Sequence, residues 1–200
     1  MRYYTSKHYR RLGLRRTDSP KDPTVRRNYP PGLHGPKRQA RKTEYGLQLA
    51  EKQKAKVLYN ILEKQFRNYF EQAMRKRGDT GAILLELLER RLDNVIYRSG
   101  FALSRPQARQ MVNHGFFQIN GKTVDIASYQ ISAKEVITVK ESKLKAKNFA
   151  ELEARLEKQP IAAWLAVDGK NKKITVTSLP TADEAEQAFN PRLIVEFYSR

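Results

Sequence analysis

The sequence predicts an α+β protein with a basic N-terminal arm, a helical domain, and a small α/β domain with a short hairpin-based sheet. Three observations lead to this prediction. The first 43 residues are basic and contain five prolines with little periodicity. From Tyr45 onward, apolar residues recur at spacings of three and four, which is typical of helices. Further along, Asn120-Gly121 separates two short apolar segments, and this dipeptide favours a tight β-hairpin turn.

The composition indicates a partner that carries many negative charges. The chain has 200 residues, with 39 Lys and Arg against 21 Asp and Glu, and a formal net charge of +18. Hydrophobic residues make up 40%, which is enough to form a core. Because such a surplus of positive charge repels itself in a compact protein, a polyanion is the natural counterpart. Nucleic acid is the first interpretation, and an anionic membrane surface is the second.

The sequence also argues against several classes of protein. The longest apolar run, Ile161 to Val167, has seven residues, far below the roughly 20 that a membrane helix needs. The absence of cysteine rules out disulfides, thiolate zinc sites, iron–sulfur clusters and a cysteine nucleophile. We expect no secretory signal, because the opening residues lack an apolar stretch. Their Arg-rich, acid-poor composition also fits an organellar transit peptide, but it continues into the basic arm, which we favour.

The positive charge is concentrated in the arm. Residues 1–45 hold 13 Lys and Arg against 3 Asp and Glu, whereas residues 151–200 hold 7 against 8. Aromatic residues lie among the arginines, and this mixture suits phosphate pairing together with stacking of bases on rings. We therefore favour an extended arm that becomes ordered on RNA over a disordered tail of nonspecific charge. The near-neutral tail is expected to pack on protein.

Apolar spacing predicts helices over residues 45–100. The stripe over residues 47–74 fits either one long helix or two consecutive ones. Asp79 or Thr80 can cap a following helix, whose apolar stripe covers residues 83–96. These stripes are expected to form core.

A shorter helix is predicted to begin near Ser104. Ser104 and Gln107 fit a capping box, and Pro106 is tolerated in a first turn. Because the residue before a proline avoids helical angles, Arg105 is the alternative cap. The basic stripe of this helix, with Arg105 and Arg109 four residues apart, can place guanidinium groups on phosphates.

Short strands are predicted after this helix. Residues 116–119 and 122–125 flank the Asn-Gly turn, and residues 136–139 form a third strand. Residues 141–159 have the composition of a helix. Two further strand-like segments, 163–167 and 173–176, follow.

Two motifs in this region resemble those of a known domain. They are Ser104-Arg105-x-x-Ala108-Arg109-Gln110-x-Val112-x-x-Gly115 and Ile119-Asn120-Gly121-Lys122-x-Val124. They resemble the RNA-binding domain that is named after small ribosomal subunit protein four. The same domain also occurs in some tRNA synthetases, pseudouridine synthases and heat-shock RNA binders, so it does not define function by itself.

The segments on either side of these two motifs narrow the resemblance to one protein family. They include Tyr29-Pro30-Pro31-Gly32-Leu33-His34-Gly35, Tyr45-Gly46-Leu47-Gln48-Leu49-x-Glu51-Lys52-Gln53-Lys54, Leu62-Glu63-Lys64-Gln65-Phe66-Arg67-Asn68-Tyr69, Leu88-Glu89-x-Arg91-Leu92-Asp93-Asn94-Val95, Ile126-Ala127-Ser128-Tyr129 and Leu193-Ile194-Val195-Glu196-Phe197-Tyr198-Ser199. Over about residues 29–200 the chain resembles the small ribosomal subunit protein four family itself, of the bacterial or plastid type. Residues 1–28 share only the family's basic character.

The resemblance implies the domain organisation. The arm would span residues 1–43, and the helical domain would span 44–90, completed by about 178–200. The RNA-binding α/β domain would then be an insertion over 91–177.

The resemblance also implies a structural constituent of the ribosome. It would be a primary rRNA-binding protein of the small subunit that nucleates assembly by clamping a multi-helix junction of 16S-type rRNA. It would lie near the path by which mRNA enters and contribute to translational accuracy. The implied partners are small-subunit rRNA, small-subunit protein five and mRNA, with no membrane and no cofactor. The chain would be a monomer within the small ribosomal subunit, cytoplasmic or in the plastid stroma.

The candidate rRNA-binding residues are basic and aromatic side chains of the arm, the helical domain and the module. They are Arg26, Arg27, Tyr29, His34, Lys37, Arg38, Arg41, Lys42, Lys52, Lys54, Lys56, Arg67, Arg105, Arg109 and Lys122. The basic cluster of residues 37–42 is the candidate for contact with mRNA.

Enzymatic interpretations are weaker. Arg91-Leu92-Asp93 matches the Arg-Leu-Asp motif of pseudouridine synthases, but Ser99-Gly100 follows too late and the chain has no room for their catalytic domain. The three histidines are far apart, and the chain has no P-loop and no metal-ligand cluster. An RNA-modifying enzyme or a free RNA chaperone remains the rival interpretation. A membrane binder is third, because the sequence lacks a strongly amphipathic helix with exposed apolar anchors.

Overall fold

The computed structural model describes residues 4–16, 21–37, 41–144, 146, 149–150, 152–157, 161–185 and 187–200. The chain divides into two compact units. The first unit comprises Met1–Leu85 with Glu186–Arg200, and the second comprises Glu86–Ala185. The domain limits inferred from the sequence stay a prediction.

The architecture is α+β, as predicted. The helices are α1 (Ser6–Leu12), α2 (Pro23–Arg26), α3 (Glu44–Leu58), α4 (Glu63–Arg75), α5 (Thr80–Glu89), α6 (Leu92–Arg98), α7 (Arg105–Asn113), α8 (Leu152–Leu156) and α9 (Pro191–Tyr198). The strands are β1 (Phe117–Ile119), β2 (Lys122–Thr123), β3 (Val136–Val139), β4 (Leu165–Asp168) and β5 (Lys173–Val176), and Glu141–Lys143 forms a 3₁₀ turn.

The first unit contains two consecutive helices where the sequence left one or two open. The chain turns between α3 and α4 at Asn60, whose φ of +52° is left-handed. Asparagine tolerates this conformation better than most residues do. The buried face of α4 carries Phe66, Tyr69, Phe70 and Ala73, so it packs as the apolar spacing predicts.

Helix starts in this unit follow side-chain capping. The Thr43 hydroxyl accepts a hydrogen bond from the backbone N–H of Gly46 at the start of α3. Asp79 caps α5, because its carboxylate accepts bonds from the N–H groups of Gly81 and Ala82. Asp79 rather than Thr80 is therefore the cap.

The C-terminal helix α9 packs on α3. Asn190 caps α9 by accepting from the N–H of Arg192 at 3.0 Å. The Tyr198 ring stacks on Phe70, with ring centroids 4.5 Å apart. The apolar run at the end of the chain is thus helical, and it packs on protein as expected for the near-neutral tail.

The N-terminal segment differs from an extended arm. Residues 6–12 form α1, which packs against α3. Tyr9 is 4% exposed, and its hydroxyl donates to the carbonyl oxygen of Val57. The Tyr4 hydroxyl donates to the carbonyl oxygen of Ile61 at 2.8 Å, and Leu14 is buried. These apolar and aromatic side chains are buried against the helices of the first unit. The basic composition of the segment did not indicate this packing.

The second unit is built on an antiparallel sheet of strand order β2-β1-β3-β5-β4. Its core includes Phe101, Phe117, Ile137 and Trp164, each at most 1% exposed. The predicted hairpin is confirmed: Asn120 (φ +48°) and Gly121 (φ +82°) turn the chain between β1 and β2. Two successive positive φ angles are what a type I′ hairpin turn requires.

The apolar stripe over residues 83–96 is divided between α5 and α6. Arg91 between them is extended and forms a β-bridge with Gln130. The N–H of Leu92 donates to the carbonyl oxygen of Tyr129 at 2.9 Å. This pairing with a distant segment ends α5, and local periodicity does not encode it.

Two further outcomes concern the second unit. The Ser104 hydroxyl accepts from the N–H of Gln107, so Ser104 caps α7. The stretch 141–159 forms only the 3₁₀ turn and α8 among its described residues.

In the part of the chain that the structure describes, no helix is long and apolar enough to cross a membrane.

Candidate nucleic-acid interface

The second unit contains a buried ion pair at the start of α6. The guanidinium of Arg91 donates to both carboxylate oxygens of Asp93, at 3.0 and 2.7 Å. The Arg91 side chain is 0% exposed and that of Asp93 is 4% exposed. Arg109 on α7 lies 3.9 Å from the same carboxylate. Asp93 therefore joins α6 to α7 and balances buried positive charge.

A second polar cluster centres on Asn94 and Glu89. The Asn94 amide donates to the Glu89 carboxylate at 2.8 Å, and Arg98 donates to the same carboxylate with two nitrogens. The Asn94 amide oxygen accepts from Arg105 at 2.8 Å. The Arg105 guanidinium also lies over the Tyr97 ring, 4.5 Å from its centroid.

This cluster fixes the place of two candidate residues. Arg105 is 8% exposed, and the Arg109 side chain is 11% exposed. Both are held by partners on α6, so they orient α7 within the unit. The sequence predicts that this arginine stripe binds phosphates. In the structure, these arginines also stabilise the packing of α7 on α6.

Lys122 and Arg67 are exposed candidates. Lys122 stands at the start of β2, directly after the hairpin turn, with an exposed side chain. Arg67 on α4 is exposed and paired with Glu71 of the next turn at 3.1 Å. A surface pair of this kind is weak and opens readily to a stronger anion.

The lysines of α3 are engaged by carboxylates of their own unit. Lys52, 8% exposed, donates to Glu63 at 2.9 Å. Lys56 pairs with the other oxygen of Glu63, and Lys54 pairs with Glu51 at 2.7 Å. Lys52 and Lys56 therefore hold α3 to α4 through Glu63, whereas the Lys54–Glu51 pair lies within α3 and neutralises the charge of Lys54.

Glu63 sits at the centre of these contacts. Partial burial alone would raise its pKa, but hydrogen bonds from Lys56, Lys52 and Tyr198 lower the pKa of Glu63 to about 2. Burial and the bond to Glu63 raise the pKa of Tyr198. The Tyr198 hydroxyl donates to Glu63 at 2.7 Å, so this carboxylate ties α9 to α3 and α4.

The low pKa of Glu63 predicts acid sensitivity of the first unit. In the unfolded chain Glu63 takes up its proton near the ordinary glutamate pKa of 4.5, whereas the folded protein keeps it ionised to about 2. Its contribution is complete above pH 4.5 and is lost as the pH falls toward 2. We expect the free energy of unfolding, measured with urea and far-ultraviolet circular dichroism, to decrease across this window.

The control for this prediction is Glu63→Gln, which cannot titrate. This variant should be less stable at neutral pH, because Lys52 loses a charged partner, and its acid slope should be shallower. Identical slopes for the two proteins would remove Glu63 as the cause.

The candidates at the end of α2 lie beside Arg10. The Arg10 guanidinium donates to the carbonyl oxygens of Arg27 and Tyr29, both at 3.1 Å. It also lies over the Tyr29 ring, 4.9 Å from the centroid. The side chains of Arg26 and Arg27 are exposed. Arg10 thus fixes this segment while its neighbours face outward.

Three further candidates are exposed, and one is not described. Lys37, Arg41 and Lys42 have exposed side chains, whereas Arg38 lies outside the described residues. The basic cluster of residues 37–42 is therefore seen only at its two ends.

The structure brings His34 and Lys42 together with Arg11. All three line one open groove of about 420 Å³. Arg11 was not among the residues predicted from the sequence. Lys7 and Arg11 are four residues apart and share the exposed face of α1, opposite the buried Tyr9, and assignment of this segment as a helix would have revealed Arg11.

The charges of the first unit do not cancel locally. Every acidic side chain of its described residues contacts a partner within the unit: Asp22, Glu44, Glu51, Glu63, Glu71, Asp79 and Glu196. Many cations of this unit are exposed and make no side-chain ion pair with the described residues: Lys7, Arg11, Arg15, Lys21, Arg26, Arg27, Lys37, Arg41, Lys42, Lys64, Arg75, Lys76 and Arg77. The surface of the first unit is therefore an uncompensated basic surface.

Among the described residues, no group of three or more His, Cys, Asp or Glu is placed to hold a metal ion. Asp93, the residue that the Arg-Leu-Asp motif singled out, is buried and paired with Arg91. Its place in the core is that of a structural carboxylate.

Comparison with known protein families identifies the class to which this protein belongs. Residues 2–89 match the family described as Ribosomal protein S4/S9 N-terminal domain, and residues 90–137 match the S4 domain. Together with the fold, these matches define a non-enzymatic protein with an RNA-binding S4 domain.

Several bacterial proteins are similar over nearly the whole chain. Small ribosomal subunit protein uS4 of Pelodictyon phaeoclathratiforme is 48% identical over 96% of this chain and 94% of its own length. Protein uS4A of Symbiobacterium thermophilum is 50% identical over 91% and 87%, and uS4 of Acidothermus cellulolyticus is 49% identical over 92% and 88%. The chain belongs to the small ribosomal subunit protein uS4 family, of bacterial type.

Proposed function

We propose that this chain is a structural constituent of the small ribosomal subunit that binds its rRNA. The observation that carries the proposal is the uncompensated basic surface of the first unit. Its carboxylates are all partnered among the described residues, while many of its exposed cations make no side-chain ion pair with those residues. Phosphates of folded RNA are the polyanion that such a surface fits.

The individual residues take two roles in this proposal. Exposed side chains contact phosphate: Arg26, Arg27, Lys37, Arg41, Lys42, Arg67 and Lys122, together with Arg38 of the same basic cluster. Tyr29 and His34 can stack with bases. Arg105, Arg109, Lys52, Lys54 and Lys56 act mainly by positioning the elements that carry those contacts, because their charged groups already have partners in the fold.

The finer proposal follows the family. The chain binds early in assembly as a primary rRNA-binding protein, clamps a multi-helix junction of 16S-type rRNA and contacts small-subunit protein five. It lies near the path of mRNA, where it contributes to translational accuracy, and it works in the cytoplasm or the plastid stroma. Contacts are mainly to phosphates and RNA shape, because A-form helices expose little base information.

The test is association with ribosomal particles in the source cells. A tagged chain should sediment with small ribosomal subunits in one-to-one proportion, and the RNA that co-purifies should be small-subunit rRNA. Sedimentation apart from ribosomal particles, with mixed cellular RNA, would favour a free RNA chaperone or modifying protein and would contradict the proposal.

A further inference from the structure

Two depressions lie along α1 and α3 in the first unit. The larger, about 420 Å³, is lined by residues of α1, the turn at residues 30–35 and the beginning of α3. The smaller, about 180 Å³, is lined by Tyr4, His8 and residues of α1 and α3. Arg11, Leu12 and Gln53 line both depressions, so the two are adjacent. We call them together the α1–α3 groove.

The larger depression joins an apolar wall to a basic rim. Leu12, Pro30, Pro31, Leu49 and Ala50 supply the apolar surface. Its volume lies in the range of pockets that hold small organic ligands, which is about 300–1,000 Å³. An apolar face of this kind suits a flat ring system rather than a chain of charges.

The rim of the groove differs from the lysines of α3. Arg11, His34 and Lys42 are exposed, and their side chains make no ion pair or hydrogen bond with the described residues. The Gln53 amide likewise has no side-chain partner in the described part of the chain. Lys52 and Lys54, by contrast, are neutralised by Glu63 and Glu51. The groove therefore keeps its donors available while charge nearby on α3 is balanced.

The smaller depression adds aromatic surface. The Tyr4 and His8 rings meet edge to face, with centroids 5.3 Å apart. The Tyr4 hydroxyl is held by the carbonyl oxygen of Ile61, so the orientation of the ring is fixed. A fixed aromatic ring beside a basic rim is a typical stacking platform for bases of single-stranded RNA.

We propose that the α1–α3 groove binds an unpaired nucleotide of RNA. Arg11 and Lys42 hold the phosphate, the apolar wall and the aromatic rings receive the base, and the Gln53 amide bonds to the edge of the base. Only an unstacked base can enter such a recess, because bases within a duplex are covered on both faces. The inference rests on the proposed binding of rRNA and adds a site that discriminates single strand from duplex.

The experiment compares binding of the full chain to a labelled single-stranded RNA oligonucleotide and to a duplex of the same sequence. Arg11→Ala should weaken single-strand binding about fivefold and reduce the slope of log affinity against log salt by about 0.7. Gln53→Leu should weaken it about threefold with no change of slope, because a neutral hydrogen bond is lost. Binding of the duplex should change less than about twofold in both variants, since the base-binding part of the groove is closed to paired bases.

The matched controls are Lys173→Ala, at an exposed position of β5 in the second unit, and Gln72→Leu, at an exposed position of α4 outside the groove. They should leave single-strand affinity essentially unchanged, with native circular dichroism in all variants. RNA that contains thiouridine should cross-link to peptides covering residues 4–12, 30–35 or 42–53. Equal losses for single strand and duplex, or cross-links elsewhere only, would overturn the inference.

A partner protein with an acidic segment is the competing occupant. If a polyglutamate peptide binds the full chain with the same sensitivity to Gln53→Leu, the groove belongs to a protein partner and the inference is wrong. Sedimentation of each variant with small subunits shows whether a negative result contradicts the groove alone or the proposed binding of rRNA as well. A chain that joins the subunit stoichiometrically but shows no groove effect contradicts the groove alone.

Discussion

Asp93→Ala is expected to lower the free energy of unfolding of the second unit by about 3–5 kcal/mol. The substitution leaves the Arg91 guanidinium, whose side chain is 0% exposed, without its carboxylate in the core. An uncompensated buried charge is far more costly than a missing surface pair. Arg109 loses the same partner, which loosens α7 from α6.

Fluorescence of Trp164 measures this effect. It is the only tryptophan in the chain and is 1% exposed in the core of the second unit. Urea titration of wild type and variant gives the difference directly. Asp125→Ala, at an exposed position, is the matched control and should change stability by less than about 0.5 kcal/mol. Equal stability of the Asp93 variant and wild type would contradict a structural role for this carboxylate.

Removal of exposed cations from the first unit is expected to weaken rRNA binding about a hundredfold. The variant changes Arg26, Arg41 and Lys42 to Gln, and each lost phosphate contact lowers the slope of log affinity against log salt by about 0.7–0.9. The wild-type affinity itself should fall about a thousandfold or more between roughly 50 and 200 mM salt, if about six or more phosphates are contacted. Filter binding or fluorescence anisotropy at several salt concentrations measures both quantities.

The control removes the same charge from the second unit. Lys134, Lys170 and Lys173 are exposed there, and their change to Gln should weaken binding less than about threefold. If the two triple variants lose affinity equally, only net charge matters and the assignment of the interface to the first unit is wrong.

The local elements of the fold were predictable because single residues determine them. The Asn120-Gly121 turn needs two positive φ angles, which this dipeptide adopts readily. The Ser104 cap has a local partner three residues away, and the third strand occupies the predicted residues 136–139. Each of these features depends on neighbours in the chain.

Contacts between distant residues were not predictable in the same way. The break between α5 and α6 depends on the bridge from Arg91 to Gln130. The placement of Lys52 depends on Glu63 and on the ring of Phe197, 4.4 Å from its ammonium group. Periodicity shows which face of a helix is apolar, but it does not show which carboxylate will approach a lysine.

The arginines illustrate the consequence for the site. Arg105 has the spacing of a phosphate-binding residue, yet its guanidinium is held by Asn94 and Tyr97. Arg11 has no distinctive motif, yet it lines both depressions of the α1–α3 groove. The basic residue types indicated a polyanionic partner. The burial and internal contacts of each side chain determine which cations remain free to bind that partner.

The most direct test of the account is binding of the purified full chain to purified small-subunit and large-subunit rRNA from the same source. We predict saturable one-to-one binding to small-subunit rRNA, at least about a thousandfold tighter than to large-subunit rRNA at physiological salt, since specific sites exceed nonspecific ones by such factors. Equal affinity for both RNAs would contradict the account.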